Sequence, residues 1–205
     1  MSTTAPADVR QHILETAQVI ISGKGFSAVG LNEILQASGV PKGSFYHYFG
    51  SKESFGEALL QTYFTDYMQH LEGLLSRPQT SVADRLMGYW TFWLETQANC
   101  DPRGKCLAVK LAAEVSDLSE AMRMTLEQGT NQVIARLAQS IHEGIADGSL
   151  PSDIEARATA ATLYQLWLGA SLRAKITRDR APLEVALAAT QRLLGLSSRV
   201  PAKAA

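Results

Sequence analysis

Apolar residues recur at helical spacing along almost the whole chain, and runs of β-branched residues in strict alternation are missing. This pattern predicts an all-α protein. The first predicted helix runs from about Asp8 to Lys24, and Gly25 is placed to end it, because glycine readily adopts the left-handed conformation that terminates helices. The inner stripe of this helix consists of Ile13, Ala17, Ile20 and Ile21.

The next pattern is that of a helix-turn-helix. A second helix is predicted from Leu31 to about Ala37, with Gly30 at its cap. Residues 38–40 then form a short connection around a glycine, and the fixed φ of Pro41 suits the first position of a third helix. A helix, a tight glycine turn and a helix at this spacing are typical of DNA-binding proteins.

The third helix has one apolar face. Phe45 and Phe49 lie four residues apart and are expected to pack on the first two helices. A helix of two turns cannot bury all of its aromatic side chains and keep a solvent face, so a purely structural aromatic cluster is the weaker interpretation. The side chains that remain could reach phosphates and base edges in a major groove, and a glycine among them would let the backbone come close. They are Lys42, Gly43, Ser44, Tyr46 and His47.

The start of the fourth helix offers a second contact with DNA. Gly50 is expected to end the third helix and Ser51 to cap the fourth, where Lys52 and the amides of the first turn could hold a phosphate. This long helix is predicted over residues 51 to about 77, because Pro78 follows.

Five further helices bring the predicted total to about nine. They are expected at Val82 to Ala98, Arg103 to Val115, Ser119 to Ala146, Ile154 to Thr177 and Leu183 to Leu194, with breakers that include Ser116-Asp117 between them. We therefore predict a three-helix DNA-binding domain over residues 1–51 and a helical regulatory and dimerisation domain over residues 52–205.

The last two predicted helices are rich in small and apolar residues. Such a surface fits a helix at the centre of the monomer or a symmetric four-helix interface between two chains, and the two arrangements can coexist. We favour the homodimer. A two-fold dimer predicts a palindromic operator with half-sites about one turn of duplex apart, or a multiple of it.

Composition limits the other classes of function. The formal net charge is -1, so any DNA-binding surface must be a local one. The longest uncharged run, residues 158–172, is shorter than the roughly 18 apolar residues of a membrane span, and the N-terminus lacks a signal pattern. A cytoplasmic protein without a membrane partner is expected.

The two cysteines, Cys100 and Cys106, are then expected to be free thiols. Their spacing does not suit zinc, so we predict no metal site and no cofactor. The four histidines form no recognisable nucleophile and base pattern with Cys106, so we predict no enzyme activity, and a cysteine-dependent enzyme remains a remote alternative.

Cys106 is the candidate for a reactive group. Arg103 and Lys105 precede it, Lys110 follows one turn later, and a predicted helix begins nearby. Positive charge and helix-terminal amides favour the thiolate, which would make this sulfur nucleophilic near neutral pH. The alternative is that the thiol is a small buried hydrophobe.

The stretch GFSAVGLNEILQASGVPKGSFYHYFGSKESF, residues 25–55, resembles the DNA-binding signature of TetR-type transcriptional regulators. The resemblance implies that the third helix enters the major groove with Lys42, Gly43, Ser44, Tyr46 and His47, and that Tyr48 and Lys52 face the phosphates. Gly30 and Pro41 depart from the Ser or Thr that caps these helices in many members.

The segments GKCLAVKLAAEVSDLSEAMR and YQLWLGASLRAKITR resemble the NemR-like, electrophile-responsive branch of the same family. This similarity implies that electrophiles or oxidants modify Cys106 and thereby release a repressor from operator DNA, which derepresses detoxification genes. Lys175 lies in the second segment and could stabilise the thiolate or trap the oxidised sulfur in an S–N bond. Cys100 is expected to be dispensable.

Modification of Cys106 would shift the protein toward a conformer that does not match the operator, and the long helix after Lys52 would transmit the change. The alternative is a TetR-type repressor released by an apolar ligand that binds reversibly between the later helices. Its pocket would be lined by residues such as Trp90, Phe92, Trp93 and Trp167.

Overall fold

The computed structural model describes the backbone of residues 6–98 and 106–196 and the side chains of residues 9–98 and 106–196. Within these ranges the chain forms nine α-helices and no strand, which confirms the predicted fold class. None of these helices combines the length and the apolar character needed to cross a bilayer. The helices are α1 (Pro6–Lys24), α2 (Leu31–Ser38), α3 (Lys42–Phe49), α4 (Lys52–Leu75), α5 (Val82–Ala98), α6 (Leu107–Leu118), α7 (Glu120–Ala146), α8 (Ala156–Thr177) and α9 (Ala181–Leu193).

Two boundaries differ from the predicted ones in an informative way. Pro41 is the N-cap of α3 and not its first helical residue, since its ψ of 149° is extended. The predicted break at Ser116-Asp117 is wrong, because α6 continues through both residues and ends at Ser119, whose φ of -153° and ψ of 120° leave the helical region. The predicted start of α6 at Arg103 lies outside the described residues, and the described helix begins at Leu107.

Internal packing divides the chain into two units. The first comprises residues 1–67 and 101–130, and the second comprises residues 68–100 and 131–205. Both α4 and α7 contribute residues to each unit. The predicted functional boundary between residues 51 and 52 falls inside the first unit and stays a prediction.

The first unit is built on an aromatic core. The ring centroids of Phe45, Phe49 and Phe55 lie 5.0–5.1 Å from one another, and all three side chains are buried. Rings at this separation gain stabilisation beyond the area they bury. In the same unit α7 packs closely on α4, because a methyl group added at Gly129 would overlap the ring of Phe64.

The second unit is centred on tryptophans. The ring of Trp90 stacks on that of Trp167 with centroids 5.2 Å apart, and Trp93 lies 5.8 Å from Trp90. The buried indole N–H groups of Trp93 and Trp167 donate to Ser171 Oγ and Thr190 Oγ1, each at 2.9 Å. These contacts join α5, α8 and α9, and they satisfy donors whose burial without an acceptor would be costly.

The close contact between α7 and α4 generates a stability prediction. Gly129→Ala should lower the free energy of unfolding by about 1–3 kcal/mol, because the new methyl group must displace the ring of Phe64. The measurement is urea unfolding followed by circular dichroism. Gly73→Ala is the matched control, since Gly73 is also helical but its methyl group would meet no atom within 4 Å. This control should be as stable as wild type or slightly more stable, and equal stability of both variants would contradict the prediction.

Candidate functional site: DNA-binding helix and sensor cysteine

The tight turn between α2 and α3 is made possible by Gly39. Gly39 adopts a left-handed conformation with φ of 67°, and its N–H donates to Leu35 O. The N–H of Val40 donates to the same carbonyl oxygen at 3.2 Å, which closes the end of α2. Pro41 then leads into α3 in an extended conformation. The chain therefore forms the helix-turn-helix that the sequence predicts.

The two faces of α3 are separated as predicted. Phe45 and Phe49 are buried, whereas Tyr46 keeps 45% of its surface exposed. Each of the other candidate DNA-binding residues of α3 is also exposed or half-buried, and these are Lys42, Gly43, Ser44, His47 and Tyr48. The contacts of these residues with DNA stay a prediction.

Gly43 has no structural explanation within the described part of the chain. A Cβ atom at this position would have no atom within 4 Å, and its φ is not in the left-handed region. Glycine inside a helix costs about 0.5–1 kcal/mol relative to alanine. A close approach by a molecule outside the chain would explain the residue.

The start of α4 gives one expected and one unexpected contact. Ser51 Oγ accepts the N–H of Ser54 at 3.0 Å, which confirms the predicted cap. Lys52 Nζ donates to the carbonyl oxygens of Val29 at 2.7 Å and Phe26 at 3.2 Å. It also lies 4.9 Å from the centroid of the Phe26 ring. Lys52 thus holds the connection between α1 and α2, and its contact with a phosphate stays a prediction.

Cys106 is the N-cap of α6, and only 6% of its surface is exposed. The hydroxyl of Tyr63, on α4, donates to Cys106 Sγ at 3.5 Å and accepts the N–H of Leu107 at 3.3 Å. The thiol is therefore held between the first turn of α6 and one tyrosine of α4. Both belong to the unit that contains α2 and α3.

The structure contradicts the expectation that Cys106 has a lowered pKa. Burial raises the pKa of the thiol, and the hydrogen bonds from Tyr63 and from the N–H groups of Val109 and Ala108 lower it by less. Burial depends on tertiary packing and could not be read from local charge. Arg103 and Lys105 lie outside the described residues, and the ammonium of Lys110 donates to Gly23 O at 3.0 Å.

Helix α6 also contacts the connection between α1 and α2. The carboxylate of Glu114 accepts the N–H of Ser27 at 2.6 Å and the N–H of Phe26 at 3.1 Å. Partial burial raises the pKa of Glu114, but hydrogen bonds from the side chain of Ser27 and from the two N–H groups, together with the charge of Lys110, outweigh it and lower the pKa below its ordinary value. No local signal points to this residue, because its partners lie 87 and 88 residues earlier in the chain.

The structure gives less information on the candidate sensor residue Lys175 and on Cys100. Lys175 is exposed in the last turn of α8, in the second unit, whereas Cys106 belongs to the first. Their pairing stays a prediction. Cys100 lies outside the described residues.

The residues named for a ligand pocket do not share one surface. Trp90, Trp93 and Trp167 pack against one another in the core, whereas Phe92 is 40% exposed and its ring lies 4.5 Å from that of His70. The buried N–H of Trp90 has no acceptor among the described residues, a feature that would suit a hydrogen-bonding group.

A helix-turn-helix with an exposed polar recognition face, joined to a helical C-terminal part, defines a DNA-binding regulator. Residues 13–59 match the family described as bacterial regulatory proteins, tetR family, and residues 82–190 match the tetracyclin repressor-like C-terminal domain. The chain therefore belongs to the TetR family of transcriptional regulators.

Several relatives align along nearly their whole length. The HTH-type transcriptional repressor NemR of Escherichia coli (strain K12) is 42% identical over 187 residues, which cover 91% of this chain and 94% of NemR. The HTH-type transcriptional repressor DhaR of Mycobacterium sp. (strain GP1) is 35% identical over 180 residues, or 88% of this chain and 89% of DhaR. The crystal structure of the reduced form of E. coli NemR matches with a TM-score of 0.87 and 42% identity, over 93% of this chain and 99% of that chain.

The burial of Cys106 generates a kinetic prediction. Because only the thiolate is nucleophilic and the thiol has a raised pKa, the alkylation rate of Cys106 should rise about tenfold per pH unit between about pH 7 and 9 without reaching a plateau. The rate can be measured with iodoacetamide and intact mass spectrometry on the Cys100→Ser variant. The same variant unfolded in urea is the control and should react faster at every pH. A plateau below about pH 8 in the folded protein would contradict the prediction.

Proposed function

We propose that the chain is a repressor that binds a palindromic operator as a homodimer and dissociates when a reactive electrophile or oxidant modifies Cys106. The released operator would permit transcription of detoxification genes. The observation that carries the proposal is the place of Cys106 at the start of α6, in the same unit as the helix-turn-helix. The 42% identity to a repressor whose crystal structure is named as a reduced form supports a redox-dependent function.

The proposed recognition helix is α3. The cation of Lys42 and the polar atoms of Ser44, Tyr46, His47 and Tyr48 are suited to phosphates and base edges, and Gly43 permits a close approach of the backbone. The formal net charge of -1 means that attraction to DNA comes from this local surface rather than from the whole chain.

The proposed dimer surface lies on α8 and α9 of the second unit. Leu172 and Ile176 on α8 are 50% and 64% exposed, and Val185 and Leu193 on α9 are 64% and 43% exposed. The spacings of four and eight residues place each pair on one face of its helix. Apolar faces of this kind are stabilised by pairing with their copies about a two-fold axis, which also accounts for a palindromic operator.

In the proposed mechanism an adduct on Cys106 perturbs the first turn of α6. A group attached to Sγ cannot occupy the buried site without disturbing Tyr63 and the N–H of Leu107. A loss of operator affinity by a factor of about 100 requires roughly 2.7 kcal/mol of coupling. Repacking of a buried side chain supplies energies of this size.

Oxidants would act through a related step. A peroxide oxidises the thiolate to a sulfenic acid and is itself reduced to water, whereas a hypohalous acid transfers its halogen to the sulfur, which gives a sulfenyl halide and releases hydroxide. The neutral amine of Lys175 then attacks the sulfur, forms an S–N bond, and displaces water or halide with loss of a proton. This step is the proposed role of Lys175.

Replacement of the sensor thiol tests the proposal. The Cys106→Ser variant should remain on the operator after treatment with N-ethylmaleimide or hypochlorite, whereas the wild type should lose affinity by about a hundredfold. Gel shift at fixed salt is the measurement. Cys100→Ser is the matched control and should be released like the wild type. Release of Cys106→Ser at the wild-type reagent concentration would exclude the Cys106 mechanism.

Gly43 tests the placement of α3. Gly43→Ala should weaken operator binding by about tenfold or more, because the new methyl group points away from the described chain and would meet the DNA backbone. Its free energy of unfolding should be equal to or above that of the wild type. Gly73→Ala serves as the control for both measurements and should bind the operator normally. Normal binding by Gly43→Ala would argue against a close approach at this position.

A further inference from the structure

The connection between α1 and α2, residues 25–30, is held by side chains from two other helices; we name it the α1–α2 turn. Two of its N–H groups, on Phe26 and Ser27, donate to Glu114 of α6. Two of its carbonyl oxygens, on Phe26 and Val29, accept from Lys52 of α4. The turn has few hydrogen bonds of its own, so its conformation depends on these two charged groups.

Gly25 allows the carboxylate to come this close. Its φ of 97° lies in the left-handed region, and a Cβ atom there would be 3.1 Å from Glu114 Oε2. A side chain at this position would therefore be strained and would crowd the carboxylate. Gly25, which follows the last residue of α1, thus also leaves room for the carboxylate of Glu114.

We propose that Glu114 is a positioning residue that fixes the α1–α2 turn to α6, so that operator affinity depends on the placement of α6. The turn leads directly into α2, and α2 and α1 support the buried face of α3. Loss of the carboxylate frees two N–H groups of the turn and loosens the orientation of the recognition helix. The link from this contact to Cys106 rests on the proposed sensor function.

The geometry of α6 provides that link. Cys106, Lys110 and Glu114 follow at intervals of four residues and so share one side of the helix. Lys110 Nζ donates to Gly23 O in the last turn of α1, and Glu114 binds the turn that follows. A short helix moves as a rigid body, so a displacement at its Cys106 end is carried to both contacts.

Two effects of removing the Glu114 carboxylate on operator affinity have opposite signs. A carboxylate repels DNA phosphates, so its neutralisation should strengthen binding slightly. Loss of the turn contact should weaken binding. The sign of the change therefore separates positioning from electrostatics, and Glu114→Gln tests it with a side chain of the same size.

The first measurement uses reduced, full-length protein and operator DNA in fluorescence anisotropy. Glu114→Gln should bind about tenfold more weakly than wild type, and hydrogen exchange at the amides of Phe26 and Ser27 should be faster by a similar factor. Glu120→Gln is the matched control, because Glu120 is exposed, belongs to the same unit and carries the same charge. Wild-type affinity in both Glu114→Gln and Glu114→Ala would overturn the proposal, whatever the role of Cys106.

The second measurement is the factor by which operator affinity falls when Cys106 is alkylated, with the extent of modification checked by mass spectrometry. This factor should be about 100 in the wild type and in Glu120→Gln but only about tenfold in Glu114→Gln, because the contact of Lys110 with Gly23 remains and loss of the turn contact already accounts for about tenfold. A merely structural role would lower the affinity of both forms and leave the factor unchanged, and that result would overturn the link to α6. If alkylation does not release the wild type, the sensor function fails, and the first measurement still decides the role of Glu114.

Discussion

The burial of Phe45 and Phe49 is the constraint on which the proposed DNA-binding surface depends. These rings pack with Phe55 of α4 and leave the opposite side of α3 to solvent. Since α3 has only eight residues, fixing two side chains four positions apart fixes the direction of every other side chain. The polar residues of α3 therefore form a preorganised surface, which would lower the cost of ordering them in the proposed contact with DNA.

The candidate sensor combines opposing requirements. A thiol must ionise to react, yet burial favours its neutral form, while Tyr63 and the amides at the start of α6 favour the charged form. The same packing that disfavours ionisation would give the proposed adduct a strong effect, because a close-packed site has no room for it. The modest reactivity that we predict for the thiol and the large conformational response that we propose for its adduct would thus have one physical origin.

Patterns local in sequence predicted the helices, the turn at Gly39, the cap at Ser51 and the two faces of α3, because spacing and backbone chemistry determine these features. The contacts of Lys52 and Glu114 could not be predicted, since each joins residues separated by 23 to 88 positions. The pKa of Cys106 was predicted in the wrong direction because local charge was weighed without tertiary burial. The break at Ser116-Asp117 was wrong because residues with low helix propensity are tolerated inside a packed helix.

The chain contains three tryptophans, and all of them, Trp90, Trp93 and Trp167, belong to the second unit. The first unit contains tyrosines but no indole. Emission excited at wavelengths that only indole absorbs therefore comes from the second unit alone, and its stacked rings make that signal sensitive to small changes in packing. The protein thus carries an intrinsic fluorescent probe in one of its two units, whereas the unit that contains the helix-turn-helix contributes no tryptophan emission.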